Sequence, residues 1–372
     1  MRLGLQATNI FFEGSKHAGV SRSSLQLLEA ILKRNEHEYV VFVRPDSPIP
    51  EHWLKMPHVE VVRVSKRTRT WHLIGRDLEP LRHNLKNWFS VSGYVPRTPG
   101  VKTATLIHDI FFHTFADTYT EEDRIIHERM YANSAKHASF VFSNSQSTAK
   151  QFSNHFGYPL ERITPLPFGV GQPPGLGDDL PHLTQDDRQA IGLPDGKFIL
   201  SVSTLEPRKN FPRLLRAFSQ VADHPALAGH TLAVAGGKGW KTSEIFDEIA
   251  ASGLTDRIVF LGYIQDETLI KLYRAAEFAV TASLEEGFGI PILEALTYGC
   301  PICSSNTGAL KEVGGDLPIY FDPTDESQIS QALIQSAQRK NREELITLGV
   351  ERSRQFGWDK SAEAVLVAFQ SP

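Results

Sequence analysis

The chain has 372 residues, more than one hydrophobic core usually supports, since domains average about 100 to 200 residues. With 41% hydrophobic and 22% charged residues, the composition excludes disordered and fibrous proteins. Cys300 and Cys303 are the only cysteines, which excludes a disulfide-framework protein and fits a reducing compartment. The sequence therefore predicts two folded domains.

No segment has the character of a membrane span or a secretory signal. The longest nearly charge-free stretch, Gly287 to Leu310, contains Glu294 together with prolines and glycines. Met1 leads into Leu3 and Leu5 without a basic region followed by an apolar run. We therefore expect a cytoplasmic protein.

Charge is distributed unevenly along the chain, whose formal net charge at pH 7 is -4. Up to residue 180 there are 21 Lys and Arg against 18 Asp and Glu, whereas the remainder has 18 against 25. This small positive excess does not indicate nucleic-acid binding. The densest basic segment, 63–86, contains Trp71 and is followed by Trp88. It could contact an anionic membrane at the inner face or a polyanionic acceptor, although such runs are usually solvated surface.

Short apolar, β-branched runs alternate with amphipathic helical patterns along the whole chain. The predicted strands cover 3–6, 39–43, 59–62, 103–107, 140–142, 198–202, 231–234, 258–261, 278–280 and 301–303. The clearest helical patterns cover 21–32, 211–221, 268–276 and 290–298. Strands that alternate with helices predict mostly parallel sheets covered on both faces, which is an α/β, doubly wound architecture.

The alternation is interrupted at 171–179, where Gly, Pro and Asp crowd together. This composition predicts a linker between two α/β domains of similar size. Ligands of parallel sheets bind beyond the carboxyl ends of the strands. Two such sheets facing each other would place an active site in the cleft between them.

The segment 285–296 reads as a glycine turn followed by a helix, directly after a predicted strand. Gly287 and Gly289 permit close approach of a ligand, and the helix N-terminus favours a phosphate. Glu286 and Glu294 could then accept hydrogen bonds from hydroxyls on either side of that phosphate. The alternative is a buried turn in which Glu294 only stabilises the start of the helix.

Arg208 and Lys209 lie at the end of another predicted strand, immediately before a predicted helix. Cations are unfavourable at the positive end of a helix dipole. Their position therefore suggests that an anion, such as a diphosphate, binds there. The alternative is a pair of solvated surface charges.

These two segments resemble the signature of glycosyltransferase family 4, the glycosyl transferases group 1, which are retaining enzymes of the GT-B fold. Glu206 to Asn210 is similar to the family's Glu-Pro-Arg-Lys-Asn motif, and Glu286 to Glu294 to its Glu-x7-Glu motif. Further similarities in the second half lie at 260–263, 299–301, 305–306, 308–315 and 320–323. Weaker ones lie at 18–22, 107–110, 144–148, 167–170 and 356–360.

The resemblance implies a GT-B fold, in which two Rossmann-like, doubly wound parallel-sheet domains face each other across a cleft. The expected parts are an acceptor-binding domain at 1–170, a linker at 171–187, a nucleotide-sugar-binding domain at 188–355 and a C-terminal helix at 356–372 that crosses back to the first domain.

The resemblance also implies roles for individual residues. The diphosphate would contact Gly19, Arg208 and Lys209, and the ribose hydroxyls would contact Glu294. The donor sugar would contact Glu286, Gly287, Phe288, Gly289 and Ile290. The nucleobase would lie near Gly262, Tyr263 and Ile264. The expected catalytic residues are His108, which would face the reacting carbon, Glu286 and Lys209.

The implied reaction moves a sugar, with retention, from a nucleotide-sugar donor to a glycan or lipid-linked acceptor. GDP-mannose is the favoured donor because many mannosyltransferases share the Glu-Pro-Arg-Lys-Asn form, and a UDP-sugar is the other. Cations aimed at the leaving diphosphate lower the barrier, so no metal or cofactor is expected. The alternatives are a non-catalytic nucleotide-sugar-binding scaffold and a same-fold epimerase or phosphorylase. Zinc or redox chemistry at Cys300 and Cys303 is not expected, since a zinc site needs about four ligands.

Overall fold

The computed structural model describes residues 1–370 except 9, 11–18, 65–70, 92, 172–181, 238, 240–249 and 251–252. Most of the expected linker and part of the basic segment lie outside the described residues. The chain divides into two compact units. Unit 1 comprises Met1–Gly169 and Gly357–Pro372, and unit 2 comprises Val170–Phe356.

Unit 1 is built on a seven-stranded parallel sheet in the order β3-β2-β1-β4-β5-β6-β7. Its strands are β1 (Arg2–Gln6), β2 (Glu38–Val43), β3 (Val59–Arg63), β4 (Asn87–Ser90), β5 (Lys102–Ile107), β6 (Phe140–Ser143) and β7 (Ile163–Pro165). The central strands are buried and apolar, as expected where helices cover both faces of a sheet. The strand order reverses between β1 and β4.

The described α-helices of unit 1 up to residue 156 are α1 (Gly19–Leu32), α2 (Glu51–Lys55), α3 (Arg76–Arg82), α4 (Phe111–Thr114), α5 (Glu121–His137) and α6 (Gln146–Phe156). Local sequence sets the ends of α6. Ser145 Oγ accepts a hydrogen bond from the Thr148 backbone N–H, and Gly157 ends the helix in the left-handed conformation with φ of 66°.

The tryptophans beside the basic segment belong to the core of unit 1. Trp88 lies on β4 with no exposed surface, and Trp71 is 2% exposed. The rings of Trp88 and Phe42 stack with their centroids 4.8 Å apart. Neither tryptophan ring is therefore available to contact a membrane, because both side chains are buried against the sheet.

Unit 2 is built on a six-stranded parallel sheet in the order β10-β9-β8-β11-β12-β13. Its strands are β8 (Phe198–Val202), β9 (Thr231–Ala235), β10 (Ile258–Gly262), β11 (Phe278–Thr281), β12 (Ile302–Ser305) and β13 (Ile319–Phe321). The strand order reverses between β8 and β11. The chain continues from β8 to β9 on one side of this pair and from β11 to β12 on the other.

The described helices of unit 2 are α7 (Gln185–Ile191), α8 (Phe211–Val221), α9 (Asp266–Ala275), α10 (Ile290–Thr297), α11 (Leu310–Gly314), α12 (Glu326–Gln338) and α13 (Arg342–Ser353). Helix α7 begins inside the range expected to be linker. Leu214 and Phe218 of α8 pack with Ile329 and Leu333 of α12 in one apolar cluster that also includes strand residues. This cluster fixes α8, and with it the loop that joins α8 to β8.

The C-terminal helix, α14 (Trp358–Gln370), packs within unit 1. The Gly357 backbone N–H donates to the Pro167 carbonyl at 2.8 Å, and Arg34 Nη2 donates to the Asp359 carbonyl at 3.1 Å. The ring centroids of Phe140 and Phe369 lie 5.0 Å apart. The last segment of the chain is therefore part of the same compact unit as the first 169 residues.

The predicted α/β, doubly wound class is confirmed. Each predicted strand and helix has a counterpart with ends shifted by a few residues; for example, the strand predicted at 301–303 is observed at Ile302–Ser305. Strands β4, β7 and β13 were not predicted. Among the described residues, no helix combines the length and apolarity needed to cross a membrane.

Candidate functional site

The candidate site of unit 2 lies where the strand order reverses. The loop after β8 carries Arg208 and Lys209, and the loop after β11 carries Glu286. Because β8 and β11 are adjacent and parallel, both loops leave the same edge of the sheet. In open parallel sheets, ligands bind at this edge where the strand order reverses.

Asn210 fixes the shape of the first loop. The segment Pro207–Lys209 forms one 3-10 turn, and Asn210 follows it in the left-handed conformation with φ of 60°. Asparagine tolerates this conformation better than most residues. Its Nδ2 donates to the carbonyls of Ala282 at 3.1 Å and Pro323 at 2.8 Å, which ties the loop to the ends of β11 and β13.

Arg208, Lys209 and Glu286 converge on one another. Lys209 Nζ lies 2.6 Å from Glu286 Oε1, and Arg208 Nη1 lies 2.9 Å from Glu286 Oε2. Ser283 Oγ donates to Glu286 Oε1 at 2.7 Å. The side chains of Arg208 and Lys209 are 15% and 12% exposed, so these residues are not a pair of solvated surface charges.

Two further contacts complete the charged cluster. Arg208 Nη2 donates to Glu206 Oε1 at 2.5 Å, and Nη1 also donates to the Glu285 carbonyl at 2.6 Å. In return, the Leu284 backbone N–H donates to the Arg208 carbonyl at 2.8 Å. The positive charges of Arg208 and Lys209 are therefore balanced by two carboxylates of the chain itself, Glu206 and Glu286.

Glu286 is a buried carboxylate that stays ionised. Burial alone would raise its pKa, but the charges of Lys209 and Arg208, with hydrogen bonds from Lys209 and Ser283, outweigh burial and lower the pKa to about 2. A fixed negative charge therefore lies beside two cations at the end of the sheet. Such a cluster is suited to binding a ligand that carries both hydroxyls and phosphates.

Close packing shapes the turn between Glu286 and α10. Gly289 has φ of 101°, and a Cβ on it would lie 2.7 Å from Leu310 Cδ2. A Cβ on Gly308, which has φ of 54°, would lie 2.8 Å from the Glu286 carbonyl oxygen. Gly287 is buried, and Phe288, at 6% exposed, packs its ring against Phe356 with centroids 5.8 Å apart. Helix α10 then begins at Ile290, and its first turn contains a proline.

Glu294 lies in α10 and is 3% exposed. Its Oε2 accepts a hydrogen bond from the Tyr273 hydroxyl of α9 at 3.0 Å. The Pro291 carbonyl lies 3.3 Å from the same hydroxyl. The second carboxylate of the motif therefore contacts a buried phenol, whereas Glu286 contacts cations.

Gly262 ends the edge strand β10, and Tyr263 and Ile264 follow it. Gly262 has φ of 69°, and its carbonyl accepts from the Gly236 backbone N–H at 2.8 Å. Tyr263 is 53% exposed and Ile264 is 9% exposed. Strand β9 lies between β10 and β8, so β10 is roughly 10 Å from β8 across the sheet.

In unit 1, His108 follows β5 and is 4% exposed. Its Nε2 lies 2.9 Å from the Val91 carbonyl and 3.2 Å from Ser24 Oγ of α1. Because a carbonyl only accepts, Nε2 carries the proton in a neutral ring. Burial lowers the pKa of His108, only partly offset by the Val91 hydrogen bond and Asp109, so the imidazole is neutral near pH 7. Gly19 is exposed at the start of α1.

Sequence analysis identified some residues of the candidate site and missed others. It named Arg208, Lys209 and Glu286, which the structure brings into direct contact. It missed Ser283, whose signal is its position two residues after β11 and three residues before Glu286. It also missed Tyr273, which reads as an ordinary apolar-face residue of the predicted helix 268–276.

Among the described parts of the chain, no group of three His, Cys, Asp or Glu residues is placed to hold a metal ion. Cys300 and Cys303 are both buried, and burial raises the pKa of each thiol to about 12. Protonated, buried thiols are poor nucleophiles and poor metal ligands.

Comparison with known proteins places the chain in a family. Residues 184–347 match the family model described as glycosyl transferases group 1. O-antigen chain mannosyltransferase B of Escherichia coli is 31% identical over 274 residues, covering 72% of this chain and 70% of that protein. The serotype-specific mannosyltransferase WbdA of Escherichia coli is 26% identical over 278 residues, but this covers only 33% of that protein.

The fold has solved counterparts. The crystal structure of HepE from Anabaena in complex with UDP and glucose superposes with a TM-score of 0.74 at 17% identity, covering 100% of both chains. At this identity the likeness shows the fold alone. With the family match and the mannosyltransferase relative, it leads to one conclusion: the chain belongs to the group 1 glycosyltransferases, and its two parallel-sheet units have the GT-B fold.

Proposed function

We propose that the protein is a retaining mannosyltransferase that moves mannose from GDP-mannose to a glycan or lipid-linked acceptor. The relatives named as mannosyltransferases support the choice of mannose, and the family resemblance supports retention. By the same analogy with an O-antigen chain enzyme, we propose a mannose-containing polysaccharide as the acceptor class. A UDP-sugar is the alternative donor.

The observation that carries this proposal is the convergence of Arg208 and Lys209 on Glu286 where the strand order reverses. Nucleotide sugars combine a diphosphate with hydroxyl-bearing rings. Two cations can bind the diphosphate oxygens, and a carboxylate that stays ionised can accept hydrogen bonds from sugar hydroxyls. No other cluster among the described residues of unit 2 combines these groups at the carboxyl ends of adjacent central strands.

The proposed chemistry follows from the leaving group. As the bond between the anomeric carbon and the diphosphate oxygen breaks, negative charge grows on the diphosphate and positive charge on the sugar. Arg208 and Lys209 stabilise the first charge, and Glu286 stabilises the second. The acceptor hydroxyl forms the new bond on the face that the diphosphate leaves, and a diphosphate oxygen takes its proton. Since the chain supplies two cations, we propose that no metal is needed.

We assign the remaining donor contacts as follows. Glu294 binds the ribose hydroxyls, and the turn 287–290 binds the sugar together with Glu286. Tyr263, which is 53% exposed, provides a ring face for the nucleobase. In unit 1, Gly19 approaches the diphosphate, and the neutral His108 contacts the reacting sugar.

We also propose that the enzyme works in the cytoplasm, against the inner face of an anionic membrane. Leu78 and Leu81 of α3 are 41% and 68% exposed, and their spacing of three residues places them on one helical face. Ile74, at 60% exposed, lies just before α3. Arg82, the residue after Leu81, is 60% exposed and lies 3.1 Å from Glu79. Such a combination favours binding to an interface with negative lipid headgroups.

A transfer assay tests the proposed function. The purified protein is incubated with GDP-mannose and octyl α-mannoside, and the linkage of the product is determined by NMR. The proposal predicts an α-linked disaccharide, which shows retention. A β-linked product would contradict retention. Tight GDP binding with neither transfer nor slow donor hydrolysis would favour a non-catalytic scaffold.

A further inference from the structure

Tyr273 and Glu294 form a buried pair that spans two helices. Tyr273 has no exposed surface, and Glu294 is 3% exposed. The hydroxyl donates to Glu294 Oε2 at 3.0 Å. Burying a carboxyl group is costly unless donors satisfy it, so this contact stabilises Glu294 inside the protein.

The surroundings hold the phenol firmly in place. The Tyr273 hydroxyl also lies 3.3 Å from the Pro291 carbonyl, in the first turn of α10. The Tyr273 and Tyr298 rings pack with their centroids 5.8 Å apart. Burial, followed by the charge of Glu294, raises the pKa of Tyr273 well above its usual value, so the hydroxyl keeps its proton and remains a donor.

A hydrogen bond from a fixed donor restricts the rotamers of its acceptor. Glu294 has three side-chain torsions, and a carboxylate that recognises vicinal hydroxyls must present its oxygens in one orientation. Tyr273 lies on α9, outside the motif that runs from Glu286 to Glu294. Its hydrogen bond therefore holds the Glu294 side chain from a different helix. The positioning therefore does not depend on α10 alone.

We propose that Tyr273 is a positioning residue that sets the discrimination between ribonucleotide and deoxyribonucleotide ligands by orienting Glu294. This inference rests on the proposed function, in which Glu294 binds the ribose hydroxyls of the donor. Tyr273 itself does not touch the ligand. Its loss should therefore weaken recognition of ribose hydroxyls specifically, rather than nucleotide binding as a whole.

The test compares dissociation constants for GDP and 2′,3′-dideoxy-GDP, measured by isothermal titration calorimetry. Hydrogen bonds to a carboxylate should make the wild-type protein bind GDP at least about tenfold more tightly. In Tyr273→Phe this ratio should fall roughly fivefold, because one hydrogen bond that fixes Glu294 is lost. Tyr320→Phe is the matched control, since it removes a hydroxyl that donates to the Gly315 carbonyl at 2.8 Å elsewhere in unit 2.

The outcomes separate the inference from the proposed function. If Tyr273→Phe keeps the wild-type ratio of the two dissociation constants, including the case in which both ligands bind equally more weakly, the inference is overturned. A reduced ratio in Glu294→Gln would in that case still support the ribose role of Glu294. No discrimination by the wild-type protein, or no change in Glu294→Gln, overturns both. If Tyr273→Phe does not fold, Tyr273→Met provides a second side chain of similar size without a hydroxyl, and the same criteria apply.

Discussion

Lys209 Nζ lies 2.6 Å from Glu286 Oε1, although the two residues are 77 positions apart in the chain. The contact exists because β8 and β11 are adjacent in the sheet, so that the loops after them meet. It places a fixed negative charge directly beside a cation at the site proposed for a leaving diphosphate. The consequences of this pairing can be measured.

Replacing Lys209 tests the proposed diphosphate contact. Lys209→Ala should weaken GDP binding and lower the transfer rate, each by about 10- to 100-fold, because a charge-assisted hydrogen bond to a phosphate is lost. Calorimetry and steady-state kinetics provide the measurements. Lys197→Ala is the control, since Lys197 is 65% exposed and pairs with Glu277 at 3.3 Å. Equal kinetics in the two folded variants would refute the diphosphate role of Lys209.

Removing the charge of Glu286 should change the affinity for GDP and the rate of sugar transfer in opposite directions. In Glu286→Gln, Lys209 and Arg208 lose a carboxylate partner, so GDP should bind several-fold more tightly. Transfer should slow by about 100-fold, because the carboxylate no longer stabilises the cationic sugar of the transition state. Guanosine, which has no phosphate, should bind the variant and the wild-type protein equally. Wild-type transfer by Glu286→Gln would show that the electrostatic role is wrong.

The lowered pKa of Glu286 predicts a dependence of stability on pH. Its pKa is about 2 in the folded protein, against an ordinary value of 4.5, so the unfolded chain binds the proton more readily. The stability that Glu286 contributes is present above the ordinary pKa and is lost as pH falls towards the folded value. Urea unfolding from neutral pH to about pH 3 should therefore give a flatter profile for Glu286→Gln than for the wild type.

An exposed carboxyl serves as the control for that experiment. The Glu363 side chain is 64% exposed and lies 3.5 Å from Arg34. Glu363→Gln should follow the wild-type profile. If Glu286→Gln also follows it, the ion pairs of Glu286 do not persist in solution.

Chelation tests the proposed independence from metal ions. Transfer should continue in excess EDTA, because Arg208 and Lys209 are proposed to donate charge-assisted hydrogen bonds to the diphosphate oxygens on which negative charge develops. The initial rate is compared before and after extensive dialysis against the chelator. Loss of activity that magnesium or manganese restores would instead show that a cation shares this role.

The exposed apolar face of α3 predicts a membrane phenotype. Leu81→Glu should remove most binding to vesicles that contain phosphatidylglycerol, because it places a negative charge on the exposed apolar surface that is proposed to enter the membrane interface. Flotation on a density gradient measures the bound fraction. Leu54→Glu is the matched control, since Leu54 is 64% exposed on α2 of the same unit. Equal flotation of both variants with the wild type would exclude this surface.

Most of the sheet architecture could be predicted because buried parallel strands are short apolar runs. The runs at 258–261 and 278–280, for example, fall on β10 and β11. Strand β4 was missed because it is four residues long and follows a basic segment, so Trp88 read as part of that segment although the sheet buries it completely. Strand β13 has three residues, too few for an alternation to be visible.

The sequence could name charged residues of the candidate site but not their pairing. Arg208 and Lys209 stand out because they precede a helix start, where cations are unfavourable. That Glu286 balances them depends on which strands are neighbours, a property of the whole sheet. Tyr273 gave no signal, since an aromatic residue on an apolar helix face is usually core, and only the packing of α9 against α10 brings its hydroxyl to Glu294.

A crystal structure with bound GDP-mannose tests the central claim most directly. We expect diphosphate oxygens within hydrogen-bond distance of Lys209 Nζ and Arg208, and the mannose ring beside Glu286. Ribose hydroxyls should contact Glu294. A nucleotide bound elsewhere, with the Lys209–Glu286 contact unchanged and no phosphate near either cation, would contradict the proposed site.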